Sequence, residues 1–160
     1  MARTLDETDV LLLTELQRDA DRPNVELARI ADLSPAATLN RVRRLKESGV
    51  IEAICAKVDP EKAGFGLRVY VSVTLGRHEE ALERRFEKVV EELPQVTAAA
   101  WVAGETDALL TVVARDLGEL QQVLVALSTR GGAQRVVTLL RLRALKPDSP
   151  LPLGESRRLR

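Results

Sequence analysis

The sequence of 160 residues is poor in several residue types at once, and each scarcity removes a class of function. Its one cysteine, Cys55, cannot form an intramolecular disulfide or a multi-cysteine zinc site, which fits a reducing cytoplasm. Aromatic residues make up 2% of the chain, too few for a platform on which unpaired bases stack. The one histidine, His78, sits in an RHEE turn ahead of a helix and reads as a solvated side chain. There is no HExxH, no Cys/His metal set and no phosphate-binding glycine loop, so neither metal nor cofactor is expected. The N-terminus has no apolar signal region, and no run approaches the ~20 residues of a membrane span; the expected location is the cytoplasm. Charge of one sign is missing as well, because 24 Lys and Arg balance 24 Asp and Glu. Residues 1–58 carry nine basic and ten acidic side chains. A nucleic-acid surface must therefore arise from where charges sit, not from their sum. Hydrophobic residues at 45% and charged ones at 30% describe a globular chain, long enough for one domain or two small ones.

The densest positive cluster lies in LSPAATLNRVRRLKESG, from Leu33 to Gly49. Ser34 suits a helix N-cap, Pro35 the first helical position and Gly49 the residue past the end. Leu39, Val42 and Leu45 recur at helical spacing and predict the buried stripe. Ala36, Ala37, Asn40, Arg41 and Arg44 then fall on or near the opposite face, small at its start and basic towards its end. Such a helix fits the major groove, although an ordinary amphipathic helix with a solvated basic face has the same pattern. Asn40 can make a bidentate contact with adenine, beside Ala36 and Ala37, and Thr38 is counted with this DNA-facing set. Arg41 and Arg44 suit guanine or phosphate, and Arg43 and Lys46 phosphate. Lys46 also fits a side chain lying over the core edge with its amine in water. The Ser34 hydroxyl is first a cap and second a phosphate ligand.

Upstream, Leu5 to Asp19 predicts a helix capped by Asp6, with Leu5 stapled against Val10 and with Val10, Leu12, Leu13 and Leu16 inward. A short helix follows Asn24, its expected N-cap, and carries Leu27, Ala28, Ile30 and Ala31. Two short helices joined tightly after a stabilising helix make a helix-turn-helix. Val50 to Val58 alternates and predicts the strand or strands of a wing, with Cys55 as a small packed residue. Residues 1–58 thus form one domain, and Asp59 to Leu67, with Pro60, Gly64 and Gly66, a linker.

Residues 68–146 change in kind. Arg68 to Gly76 alternates strictly, Glu79 to Leu93 is an amphipathic helix, Val96 to Ala103 and Asp107 to Arg115 are strands joined by GETD, and Leu117 to Ser128 is a helix with Asp116 and Glu119 as a capping pair. Gln134 to Leu145 is a last long strand. This βαββαβ order is the ferredoxin-like split, so the expected fold class is α+β: a winged helix-turn-helix followed by a ferredoxin-like domain. Residues 147–160, with three prolines and then three arginines, predict a disordered or loosely docked end. Helices cover one face of such a sheet, yet its second and third strands are apolar on both. The bare face predicts burial against a second copy of the chain.

The LDETDVLLLTELQRD opening, the ELARIADLSPAATLNRVRRLKESGVI block and the AGETDALL hairpin, in this order and spacing, resemble the Lrp/AsnC (feast/famine) transcription regulators over Leu5 to Lys146. The resemblance implies a DNA-binding homodimer joined through its sheets, often assembled into octamers or open spirals, with an amino acid or related metabolite bound between dimers near the glycine–aspartate hairpin. It places Trp101, Gly104, Glu105, Thr106, Asp107, Ala108 and Thr138 at or near the effector. The position after Asp107 is usually aromatic in the family and is Ala108 here. The segment before the second helix is about one residue short. On the residues alone, GETD is also consistent with a plain hairpin, and Trp101 with a pocket wall or an indole buried between copies. Two other readings stand beside the regulator: a small-molecule-binding assembly protein with a degenerate DNA domain, and a small ferredoxin-like enzyme.

Overall fold

The computed structural model describes residues 5–76 and 79–153. His78 and residues 154–160 of the tail lie outside them. The chain divides into two compact units, one of residues up to 56 together with those from 146, the other of residues 57–145.

In the first unit α1 (Glu7–Arg18) is capped by Asp6, whose Oδ1 accepts the Asp9 N–H at 2.7 Å. α2 (Asn24–Ile30) starts at Asn24 itself, behind Pro23. Asn24 is thus not the cap; its Nδ2 donates to the Pro35 carbonyl at 2.9 Å and ties the starts of α2 and α3 together. α3 (Pro35–Glu47) is capped by Ser34. In the turn between α2 and α3, Asp32 takes a positive φ of 51°, where a short polar side chain is tolerated, and the Leu33 N–H closes on the Ala28 carbonyl at 2.9 Å. Leu12, Leu13, Leu27, Ala28 and Leu45 form the centre.

Two expectations fail here. Val50 to Val58 forms no strand: it is irregular, and Val58, Ile54 and Cys55 are exposed. Alternation alone does not make a strand, and no second segment of this unit offers these residues a ladder. Cys55 is therefore not packed. The tail, in contrast, is held where it is described: the Leu151 N–H donates to Gln17 Oε1 at 2.6 Å and Gln17 Nε2 donates to the Leu151 carbonyl at 3.3 Å.

The second unit begins before its first strand. Asp59 Oδ1 accepts the N–H groups of Glu61 and Lys62, and Phe65 folds back to the Pro60 carbonyl and lies under the Arg115 guanidinium at 5.0 Å. The expected linker is thus an ordered turn of this unit. β1 (Leu67–Leu75), α4 (Glu80–Glu92), β2 (Val96–Trp101), β3 (Ala108–Ala114), α5 (Leu117–Thr129) and β4 (Ala133–Leu140) follow, and the antiparallel sheet runs β2-β3-β1-β4. Asp116 caps α5 through the Glu119 N–H at 2.8 Å, while Glu119 reaches back to the Arg115 N–H at 2.7 Å. That bond holds the Glu119 carboxyl below its usual range. β4 ends at Leu140, not Leu145; beyond it the Arg141 N–H bonds the Arg68 carbonyl at 3.1 Å.

Val69, Val71, Val73, Leu110 and Val112 line one sheet face beneath Phe86 of α4 and Leu120, Val123 and Leu127 of α5. The other face carries Tyr70, Leu109 and Leu139, 37%, 41% and 54% exposed, with Ala98, Ala100 and Val137 on the same side. No described element of this unit covers it.

Candidate DNA-reading helix and effector pocket

α3 is set by its cap. The Ser34 Oγ accepts the Ala37 N–H at 3.2 Å, Pro35 lacks the N–H that position leaves unpaired, and Arg44 and Lys46 stand in the last turn where the helix dipole favours cations. Ala36, Asn40, Arg43, Arg44 and Lys46 are exposed and Ala37 half-buried. No ion pair among the described residues engages Arg43, Arg44 or Lys46.

The helix is rolled relative to the expected stripe. Thr38, counted with the DNA-facing set, is fully buried and its hydroxyl donates to the Ser34 carbonyl at 3.1 Å; Leu39, expected inside, is 48% exposed. Arg41, expected outward, turns towards α1, where its Nη1 donates to Asp6 Oδ2 at 2.6 Å and Asp9 Oδ1 at 2.9 Å. Asp9 is 1% exposed. The bond from Arg41 holds the Asp6 carboxyl below its usual range, with help from the Asp9 N–H, and the two carboxylates raise Arg41 above its own. With Arg41 withdrawn, the outward face carries Ala36, Asn40, Arg43 and Arg44, with Leu39 and Lys46 at its flank and Glu47 at its C-terminal end. Leu39 is the residue missed there, since its apolar character assigned it to the core.

In the second unit residues 102–107 join β2 to β3, with GETD at 104–107. Gly104 takes a φ of +150°, and the Val102 N–H bonds the Asp107 carbonyl at 2.9 Å. The Asp107 Oδ2 accepts the Leu75 N–H at 2.7 Å, fastening the start of β3 to the end of β1. The Thr106 hydroxyl is engaged by the Val73 carbonyl at 2.7 Å. Trp101 packs on Phe86 with ring centroids 5.7 Å apart, and its Nε1 donates to Glu87 Oε1 at 3.0 Å. The indole therefore lies on the helix-bearing side and not on the bare sheet face.

Two shallow cavities meet at Trp101. The larger, of about 230 Å³, is walled by Phe86, Val90, Ala99 and Ala108 with Glu87 and Glu91 at its rim. The smaller, of about 220 Å³, adds Leu75, Glu83, Val102 and Asp107. The structure thus brings Trp101, Asp107 and Ala108 together and leaves Gly104 and Glu105 exposed at the hairpin tip. Thr138 does not join them: it pairs with Val71 on β4, the opposite edge of the sheet from β2. Glu83 and Glu87 were missed, although their spacing of four on α4 marks one face. Among the described residues no cluster of three His, Cys, Asp or Glu side chains could hold a metal ion, and no helix is long and apolar enough to cross a membrane.

Comparison with known proteins finds relatives for both parts. Residues 5–52 match a winged helix-turn-helix DNA-binding family, and residues 68–151 match the Lrp/AsnC ligand binding domain. The chain is 35% identical over 150 residues to the HTH-type transcriptional regulator AldR of Mycolicibacterium smegmatis, covering 91% of this chain and 88% of that one. It is 34% identical over 122 residues to the leucine-responsive regulatory protein of Escherichia coli, covering 76% and 74%. Among solved structures, a transcriptional regulator of Neisseria meningitidis in complex with L-methionine superposes with a TM-score of 0.88 at 31% identity, over 95% of this chain and 99% of that one. The capped basic helix, the split βαββαβ sheet and these relatives together place the chain in the Lrp/AsnC family of ligand-responsive, DNA-binding transcription regulators.

Proposed function

We propose that α3 reads duplex DNA with Ala36, Asn40 and Arg43 at base edges and Arg44 and Lys46 at phosphates, and that a free amino acid bound beside Trp101 and Asp107 biases that reading. The observation that carries it is the row of exposed, unpaired cations on a capped helix in a unit whose other described arginines, Arg29 apart, are tied to carboxylates. The apolar wall of Phe86, Val90 and Ala108 suits an uncharged side chain, and the Asp107 carboxylate suits an ammonium. L-methionine, present in the Neisseria regulator, is the first ligand to try. The bare sheet face, with Leu109 and Leu139, pairs two copies in the cytoplasm, and such dimers assemble further, towards an octamer. Thr138, at the far sheet edge, meets a ligand only if a neighbouring copy supplies it.

Selection of duplexes from a random library by the purified full-length protein tests the DNA half. One sequence class is enriched, Asn40→Ala costs about 1–3 kcal/mol at one base position, and Arg43→Ala weakens binding. Absence of any enriched duplex at physiological salt overturns the reading. For the ligand half, one amino acid of the twenty raises the melting temperature and changes the fluorescence of the single tryptophan, Trp101.

A further inference from the structure

We infer that Arg41 is a positioning residue that fixes the roll of α3 about its own axis, and through it which arginine meets the base edges, while making no DNA contact itself. The inference rests on α3 being the DNA-reading helix. Two rolls are open to this sequence. One buries Leu39, Val42 and Leu45; the other buries Thr38, Val42 and Leu45, and the two differ by about a third of the 100° step between neighbours. Hydrophobicity alone favours the first, since leucine is more apolar than threonine. The protein adopts the second, with Thr38 fully buried and Leu39 half in solvent. In the first roll Asn40, Ala37 and Arg44 lead outward; in the second Asn40, Ala36 and Arg43 do.

What holds the less apolar roll is on the page. Arg41, three residues from Thr38 and on the same side, reaches two carboxylates at the start of α1. Its base is stiff. Asp9 is almost wholly buried, and Asp6 spends its other oxygen on capping α1. A strut from the middle of α3 to a capped helix end resists rotation in a way that sliding apolar contacts do not. The charge of Arg41 is thereby committed inside the unit, which leaves the base edges to Arg43 and the phosphate work to Arg44 and Lys46.

The test uses the full chain, the selected duplex and a duplex altered at its centre. If the strut sets the roll, Arg41→Gln and Asp9→Asn each weaken binding to the selected duplex by roughly 5- to 150-fold, the span of one mismatched base pair. Discrimination between the two duplexes shrinks, and the slope of log K against log salt stays as it was. Arg41→Lys, able to reach one carboxylate, restores part of the discrimination. A phosphate contact predicts the reverse on both counts: Arg41→Gln lowers the slope by about 0.9, and Asp9→Asn tightens binding by freeing a cation. That result, or unaltered binding in both variants, overturns the inference. Should Asp9→Asn fail to fold, Asp6→Asn, which keeps a capping oxygen, gives the same readings. Arg43→Ala runs beside them: if it changes nothing, the DNA-reading face is itself misassigned, which is a separate failure.

Discussion

Asp107 has a structural role and a proposed ligand-binding role, and one pair of substitutions separates them. Its carboxylate accepts the N–H of Leu75, a residue 5% exposed, at 2.7 Å. Asp107→Ala removes that acceptor and leaves the N–H to find another. A bond to a charged group contributes about 1.5–3 kcal/mol, and the half-buried position of Asp107 reduces this to about 1–2 kcal/mol by solvent screening. For a unit of roughly 90 residues the fall in melting temperature is about 5–15 °C. Asp107→Asn keeps a carbonyl oxygen in the same place and loses only the charge, so its melting stays close to that of the parent. The ligand arm behaves differently. An amino acid at 100 times its Kd stabilises the folded chain by about 2.7 kcal/mol, and an ammonium held by the carboxylate loses most of that in both variants. Scanning calorimetry with and without the amino acid, alongside Trp101 fluorescence titration, reads both effects. An Asp107→Asn protein that keeps the full ligand-induced shift would falsify the assignment of the ammonium to Asp107. An Asp107→Ala protein that melts like the parent would remove the structural role.

Other consequences are simpler to read. Asp32, at a φ of 51° in the turn before α3, tolerates glycine with little change, whereas Asp32→Val costs about 1–3 kcal/mol in denaturant titration. Gly132 has a φ of +76° and a Cβ there would lie 2.6 Å from Leu82 Cδ1, so Gly132→Ala destabilises the second unit by about 1–3 kcal/mol. Leu139→Arg on the bare sheet face yields a monomer in analytical ultracentrifugation with its secondary structure intact; a dimer of unchanged stability refutes the proposed interface. Asp6 and Glu119 titrate below their ordinary values of 3.8 and 4.5, Asp6 chiefly through Arg41 and Glu119 chiefly through the Arg115 N–H. A depressed carboxyl contributes stability above its unfolded value and loses it as pH falls through the folded one, so melting temperature declines below about pH 4.5. Asp6→Asn and Glu119→Gln make that decline shallower.

The sheet-bearing unit was legible because its signals are local. Alternation over Val69, Val71 and Val73, the Asp116 cap and the Pro94 stop each act within a few residues, and their order fixes the topology. The caps of α1 and α3 were legible for the same reason. The roll of α3 was not. Threonine hides its hydroxyl by bonding the carbonyl four residues back, and Arg41 is neutralised by partners 32 and 35 residues away. Neither fact has a signature in the helix itself. The strand expected over Val50 to Val58 does not form within the single chain, because a strand requires a partner as well as a pattern. In the pocket, Asp107 and Trp101 were found through the hairpin, while Glu83 and Glu87 reach it only because α4 folds over β2.

The reciprocal bonds between Gln17 and Leu151 have a topological consequence. The chain leaves the helical unit once, builds the sheet and comes home, so the sensor is an insert within the reader and not a bead hung after it. Cutting the chain after Leu145 would keep every residue of both sites and still demote the sensor to an appendage on a single thread.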